Sequence, residues 1–102
     1  MQHRIEFSPT SDRELRAFRV FEQRRIVQAI QAQLVENPDH ETRNRKCLGD
    51  YLATSFEYIP PLWELRVGEF RVFYEIDSSK AMVRVLAVRL KPPHMTTAEV
   101  LR

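Results

Sequence analysis

The stretch WELRVGEFRVFYEID, residues 63–77, constrains the fold more than any other part of the chain. Side chains alternate faces along a strand, so apolar residues at every second position mark a strand with one buried face. Trp63, Leu65 and Val67 alternate with Glu64 and Arg66; Phe70, Val72, Tyr74 and Ile76 alternate with Arg71, Phe73 and Glu75. Between the two runs, Gly68-Glu69 suits a two-residue type II′ turn, which wants glycine first. That loop sets a register of Val67 opposite Phe70, Arg66 opposite Arg71, Leu65 opposite Val72 and Trp63 opposite Tyr74. Two arginines therefore stand side by side on one face, which costs a few tenths to about 1 kcal/mol.

The next turn falls at DSSK, residues 77–80, and a third strand follows over 81–88. In it Ala81, Val83, Val85 and Ala87 alternate with Met82, Arg84, Leu86 and Val88. A four-residue loop pairs Ile76 with Ala81, Tyr74 with Val83 and Phe73 with Arg84. The face bearing Trp63, Leu65, Val72 and Tyr74 needs helices over it. The opposite face collects Glu64, Arg66, Arg71, Phe73, Glu75 and Arg84. Two readings of that face stay open: a solvated surface neutralised by its own glutamates, or Arg66, Arg71 and Arg84 around a phosphate, with Phe73 stacking a base.

Upstream, RIEF alternates as a short first strand. SPTSDRE follows as a helix start, with Ser8 before Pro9, or Ser11 with Glu14, equally suited to cap it. The apolar phase over 11–36 is broken, because Leu15 and Phe18 point about 100° away from Ile26, Val27, Ile30 and Leu34. A short helix near 11–18, a break at 19–21 and a longer helix to 36 follow. Pro38 disfavours helix at Asn37. Residues 37–61, with Pro38, Gly49, Pro60 and Pro61, read as a long loop holding at most one helical turn or an irregular strand. The order is β-α-α-β-β-β: an α+β fold, two helices packed on one face of a small, mostly antiparallel sheet.

At 102 residues and 43% apolar, the chain holds one domain with one core. The net charge of +2 says little, yet thirteen of the sixteen basic residues are arginine, the cation suited to forked recognition of phosphate. Arg43, Arg45 and Lys46 lie together in RNRK on the long loop, as phosphate contacts or as plain solvated residues. The lone Cys47 excludes an internal disulfide, and no His/Cys/Asp/Glu spacing suits a metal. No apolar stretch approaches the ~18 residues of a membrane span. A cytoplasmic location is expected, with no membrane association and no cofactor.

The hairpin LRVGEFRVFY, followed by VRVLAVRLK and preceded by a strand, two helices and RNRK, resembles the RelE/ParE toxin superfamily of type II toxin–antitoxin systems. The resemblance implies a cognate antitoxin partner and, for RelE-like members, a metal-independent endoribonuclease that cuts mRNA on the ribosome. In that chemistry the ribose 2′-OH attacks the adjacent phosphorus. Carried over by position, Arg71 stabilises the transition state, Lys91 adds a cation after the last strand, and His94 is the tail residue that titrates near neutrality. Some members carry two lysines where this chain has Leu62 and Glu64, and many have a C-terminal tyrosine that KPPHMTTAEVLR lacks. A ParE-like gyrase inhibitor without nuclease activity, or a degenerate toxin that only binds antitoxin, are the alternatives.

Overall fold

The computed structural model describes residues 1–102. The element order is β1 (Arg4–Phe7), α1 (Pro9–Arg16), α2 (Val20–Leu34), β2 (Arg45–Gly49), β3 (Leu62–Val67), β4 (Phe70–Asp77), β5 (Met82–Leu90) and α3 (Thr97–Leu101). The strands form one sheet in the order β1-β5-β4-β3-β2, with β1 parallel to β5 and every other pair antiparallel.

Ser8, not Ser11, caps α1: its hydroxyl accepts from the Ser11 amide at 3.1 Å, and Pro9 opens the helix. Ser11 turns its own hydroxyl to Val85 O, 2.7 Å, and so ties the helix start to β5. The break falls at 17–19. Arg19 is extended there, and the Gln23 side chain donates to Phe18 O at 2.8 Å, covering a carbonyl that the interrupted helix leaves open. Ile26, Ile30 and Leu34, four apart on α2, are fully buried against the sheet.

The β3–β4 hairpin has the register expected from its turn, including Arg66 opposite Arg71. Gly68 sits at φ +58, and a Cβ there would lie 2.2 Å from Nη2 of Arg25. The glycine thus serves the turn and also lets an α2 guanidinium lie against it.

The β4–β5 register differs from the expected one, and the pairs Ile76–Ala81, Tyr74–Val83 and Phe73–Arg84 do not form. Asp77 stays in β4, caps a 3-10 turn at Ser78–Lys80, and Ala81 adopts a left-handed φ of 48°. Ile76 therefore meets Val83, Glu75 meets Arg84 and Tyr74 meets Val85. A bulge then adds one residue to β5, so Phe73 meets Ala87 and Arg71 meets Arg89. One extra residue reverses the faces beyond it. Val88 joins the helix-side core, while Ala87 turns to the other face.

Two features were absent from the expected order. Residues 45–49 form β2, whose outer edge is closed locally: Thr42 accepts from Arg45 N at 3.2 Å and Glu41 from Cys47 N at 3.3 Å. The sheet face away from α1 and α2 is also largely covered. Leu62, Phe73, Leu86, Ala87, Val100 and Leu101 build a second core there, closed by α3 and by Leu52, Phe56 and Tyr58 of the preceding loop.

Candidate nucleic-acid interface

Alternation along the strands leaves one end of that second face uncovered. Arg66, Arg71 and Arg89 lie in register across β3, β4 and β5. Lys91 follows β5, and its amide donates to Glu69 O at 2.7 Å, placing it beside the hairpin turn. On the other side Lys46 of β2 faces Glu64 of β3. The result is a basic strip at the turn end of the sheet, with Glu64 its sole carboxylate on these strands.

Each arginine has a different environment. Arg66 is exposed and makes no ion pair. Arg71 is held from both sides, its Nη1 donating to Gly68 O at 2.8 Å and Phe70 O at 2.9 Å, its Nε 3.3 Å from the Glu64 carboxylate. The Arg71 side chain is 12% exposed. Arg89 ties β5 to three other segments: Nε meets Glu14 of α1 at 2.8 Å, Nη1 meets Val100 O of α3 at 2.8 Å, and in the loop before β3 Nη2 meets Ser55 Oγ at 2.8 Å with the guanidinium 5.3 Å from the centre of the Phe56 ring. Sequence reasoning missed Arg89 because the bulge that turns it toward Arg71 leaves no mark in the hydrophobic pattern.

Two expected members of the site lie elsewhere. Arg84, displaced by the β4–β5 register, faces Glu75 and lies 3.9 Å from Glu6, outside the arginine row. Phe73 is fully buried in the second core, its ring centroid 6.3 Å from that of Phe56, so it offers no face to a base. The long loop divides likewise: Arg45 spends its guanidinium on His40 O, at 3.1 Å, and on Gln33 O, while Arg43 and Lys46 are exposed. His94 is exposed in the turn before α3, and its charge helps hold the Glu99 carboxyl below the usual range, after the larger effect of the Thr96 hydrogen bonds. No hydrogen bond or ion pair joins His94 to the row.

Chemically, the strip offers an extended polyanion the free charge of Arg66 beside the held guanidinium of Arg71, while Arg89 is committed to internal partners. No group of His, Cys, Asp and Glu side chains is arranged to hold a metal ion. No helix is long and apolar enough to cross a membrane.

The fold is shared with solved toxins. The chain is similar to a structure of the toxin–antitoxin complex RelBE2 from Mycobacterium tuberculosis (23% identity over 89% of this chain and 100% of that one, TM-score 0.70). It is also similar to the archaeal RelE–RelB complex from Pyrococcus horikoshii OT3 (17%, 91% and 99%, 0.67) and to the isolated RelE toxin of E. coli (15%, 95% and 93%, 0.67). No curated protein sequence matches the chain. Residues 5–90, from β1 to the end of β5, match the family model described as the ParE toxin of the type II toxin–antitoxin system parDE. The chain therefore belongs to the ParE toxin family of type II toxin–antitoxin systems, within the RelE/ParE superfamily.

Proposed function

We propose that this toxin is a ribosome-dependent mRNA endoribonuclease that grips the RNA backbone with the strip at the hairpin turn. The observation that carries the reading is the guanidinium of Arg71, fixed by the carbonyls of Gly68 and Phe70, in register with exposed Arg66 and on the turn end of the sheet where Lys91 follows β5. Preorganised cations aimed at a developing phosphorane are the main requirement of metal-free RNA cleavage. In this scheme the ribose 2′-OH gives its proton to water as its oxygen bonds to the adjacent phosphorus, the P–O5′ bond breaks to leave a 2′,3′-cyclic phosphate, and Arg71 with Lys91 stabilises the charge. His94, carried on the tail, supplies the proton to the leaving oxygen. Arg66, Arg43 and Lys46 position phosphates on either side; Arg84 and Phe73 have no part. Neither metal nor cofactor enters the scheme.

The antitoxin complexes among the similar structures support a cognate antitoxin as partner, and ribosomes as target place the toxin in the cytoplasm. Expression without antitoxin is expected to arrest growth, with new mRNA 5′ ends mapping to translating ribosomes. A second reading, inhibition of DNA gyrase without nuclease activity, draws on the Glu64 carboxylate beside Arg71 and on the tail without tyrosine. DNA breaks with intact mRNA in the same experiment select that reading. A folded protein without toxicity points to a toxin reduced to antitoxin binding.

A further inference from the structure

Glu64 is the odd residue in the basic strip. Its side chain is 2% exposed, lies 3.3 Å from Nε of Arg71, and faces Lys46 across β2. Yet neither Glu64 Oε1 nor Arg71 Nε has a hydrogen-bond partner, although both atoms are buried. A buried ion pair offsets its desolvation only when geometry and hydrogen bonding are complete, and here they are not. Nη1 of Arg71 is already committed to Gly68 O and Phe70 O. Nη2 makes no hydrogen bond, so a forked contact with an anion needs Nε beside it, the atom the carboxylate shadows.

We propose that Glu64 is a built-in competitor for the phosphate site at Arg71, occupying the guanidinium in the free protein and yielding it to RNA. An incoming phosphate oxygen takes up the unpartnered Nε and releases the Glu64 carboxylate toward Lys46, its register partner on β2. A single anion has only Arg71 to offset the loss of the internal pair. A strand that also meets Arg66 and Lys91 spreads the same loss over three contacts. Residue 64 thereby sets how much of the strip RNA must cover before it is held.

This inference rests on placing a phosphate at Arg71, as in the proposed function, and a binding experiment separates the two. The probe is a 2′-O-methyl RNA 12-mer, which lacks the attacking hydroxyl, read by fluorescence anisotropy between about 50 and 200 mM salt. Glu64→Gln keeps the size and an acceptor oxygen while removing the charge. It is expected to bind about 5–10-fold tighter than wild type, the scale of one freed charge contact, with a salt slope steeper by up to about 0.7. In an Arg71→Gln background the same substitution is expected to change nothing, which a merely structural role for Glu64 does not require. Should Glu64→Gln fail to fold, Glu64→Asp draws the carboxylate back by one methylene and is expected to gain about 2–3-fold. Equal or weaker binding by the substituted protein, a gain that persists without Arg71, or no binding of the 12-mer by either protein overturns the proposal. Tighter binding by Glu64→Gln with no ribosomal cleavage by wild type leaves the competitor standing and removes the nuclease reading.

Discussion

Arg89 stands directly opposite Arg71 on neighbouring strands, and the two send their charges to different carboxylates, Glu14 for Arg89 and Glu64 for Arg71. This explains how three arginines in register are tolerated. The unfavourable term between opposed like charges is small, and two of the three cations have a local counter-ion. Only Arg66 at the outer end carries an unneutralised charge into solvent. The row is therefore neither a plain solvated surface nor three equivalent phosphate ligands.

Arg71 and Arg66 are expected to separate chemistry from binding. Arg71→Ala should lower single-turnover mRNA cleavage by about 10²–10³, the usual loss for one transition-state donor, and Arg71→Lys should recover part of it. Arg66→Ala should weaken ribosome binding and flatten its salt dependence with a smaller effect on the cleavage step. Single-turnover rates and binding at several salt concentrations check both.

Arg89→Ala acts on stability first. Its side chain is 16% exposed and holds Glu14, Ser55 and the Val100 carbonyl at 2.8 Å each. Losing it is expected to cost about 2–4 kcal/mol, since a partly buried carboxylate loses its cation and α3 loses its C-terminal donor. Denaturant unfolding measures the loss. Limited proteolysis should show earlier cleavage within residues 97–102.

Phe73→Ala distinguishes a core ring from a base-stacking one. Fully buried between Phe56 and α3, Phe73 should cost about 3–5 kcal/mol on truncation. A surface stacker would instead lose RNA affinity with an unchanged melting temperature. Thermal melts with and without RNA decide.

Tyr74 gives the protein an alkaline limit. Burial pushes its phenol well above the ordinary value of 10, and its hydroxyl donates to Pro38 O at 2.8 Å. The unfolded chain releases this proton near pH 10 while the folded one retains it, so stability is complete below pH 10. Above that it falls by about 1.4 kcal/mol per pH unit. Tyr74→Phe should flatten this limb of the stability–pH curve at a cost of about 1 kcal/mol at neutral pH. Urea midpoints from pH 8 to 11 check the slope.

The hairpin was legible because its turn chemistry and period-2 pattern agree, and they fixed Arg66 against Arg71 without tertiary information. The first two helices and a break between them were legible from the shift in apolar phase, whereas α3, five residues of the tail, was not. Strand β2 was not: five residues, RKCLG, carry no alternation, and pairing with Glu64 and Leu65 on β3 makes them a strand. The bulge at Leu86 was equally silent, since VLAV offers apolar residues in either phase. That silence displaced Arg84 into the candidate site and hid Arg89. The second core was missed for a related reason: Phe73 and Leu86 looked like isolated apolar residues on a polar face until α3 and Phe56 met them.

Trp63, the only tryptophan, lies 7% exposed in the helix-side core with its ring 6.2 Å from that of Tyr74. Its environment is dry and set by α2 and the sheet, a full layer away from the arginine row. Indole emission from this protein should thus be blue-shifted in the native state and move red only on global unfolding. An optical titration with RNA at the arginine row is therefore expected to be silent unless a fluorophore is placed on that face deliberately.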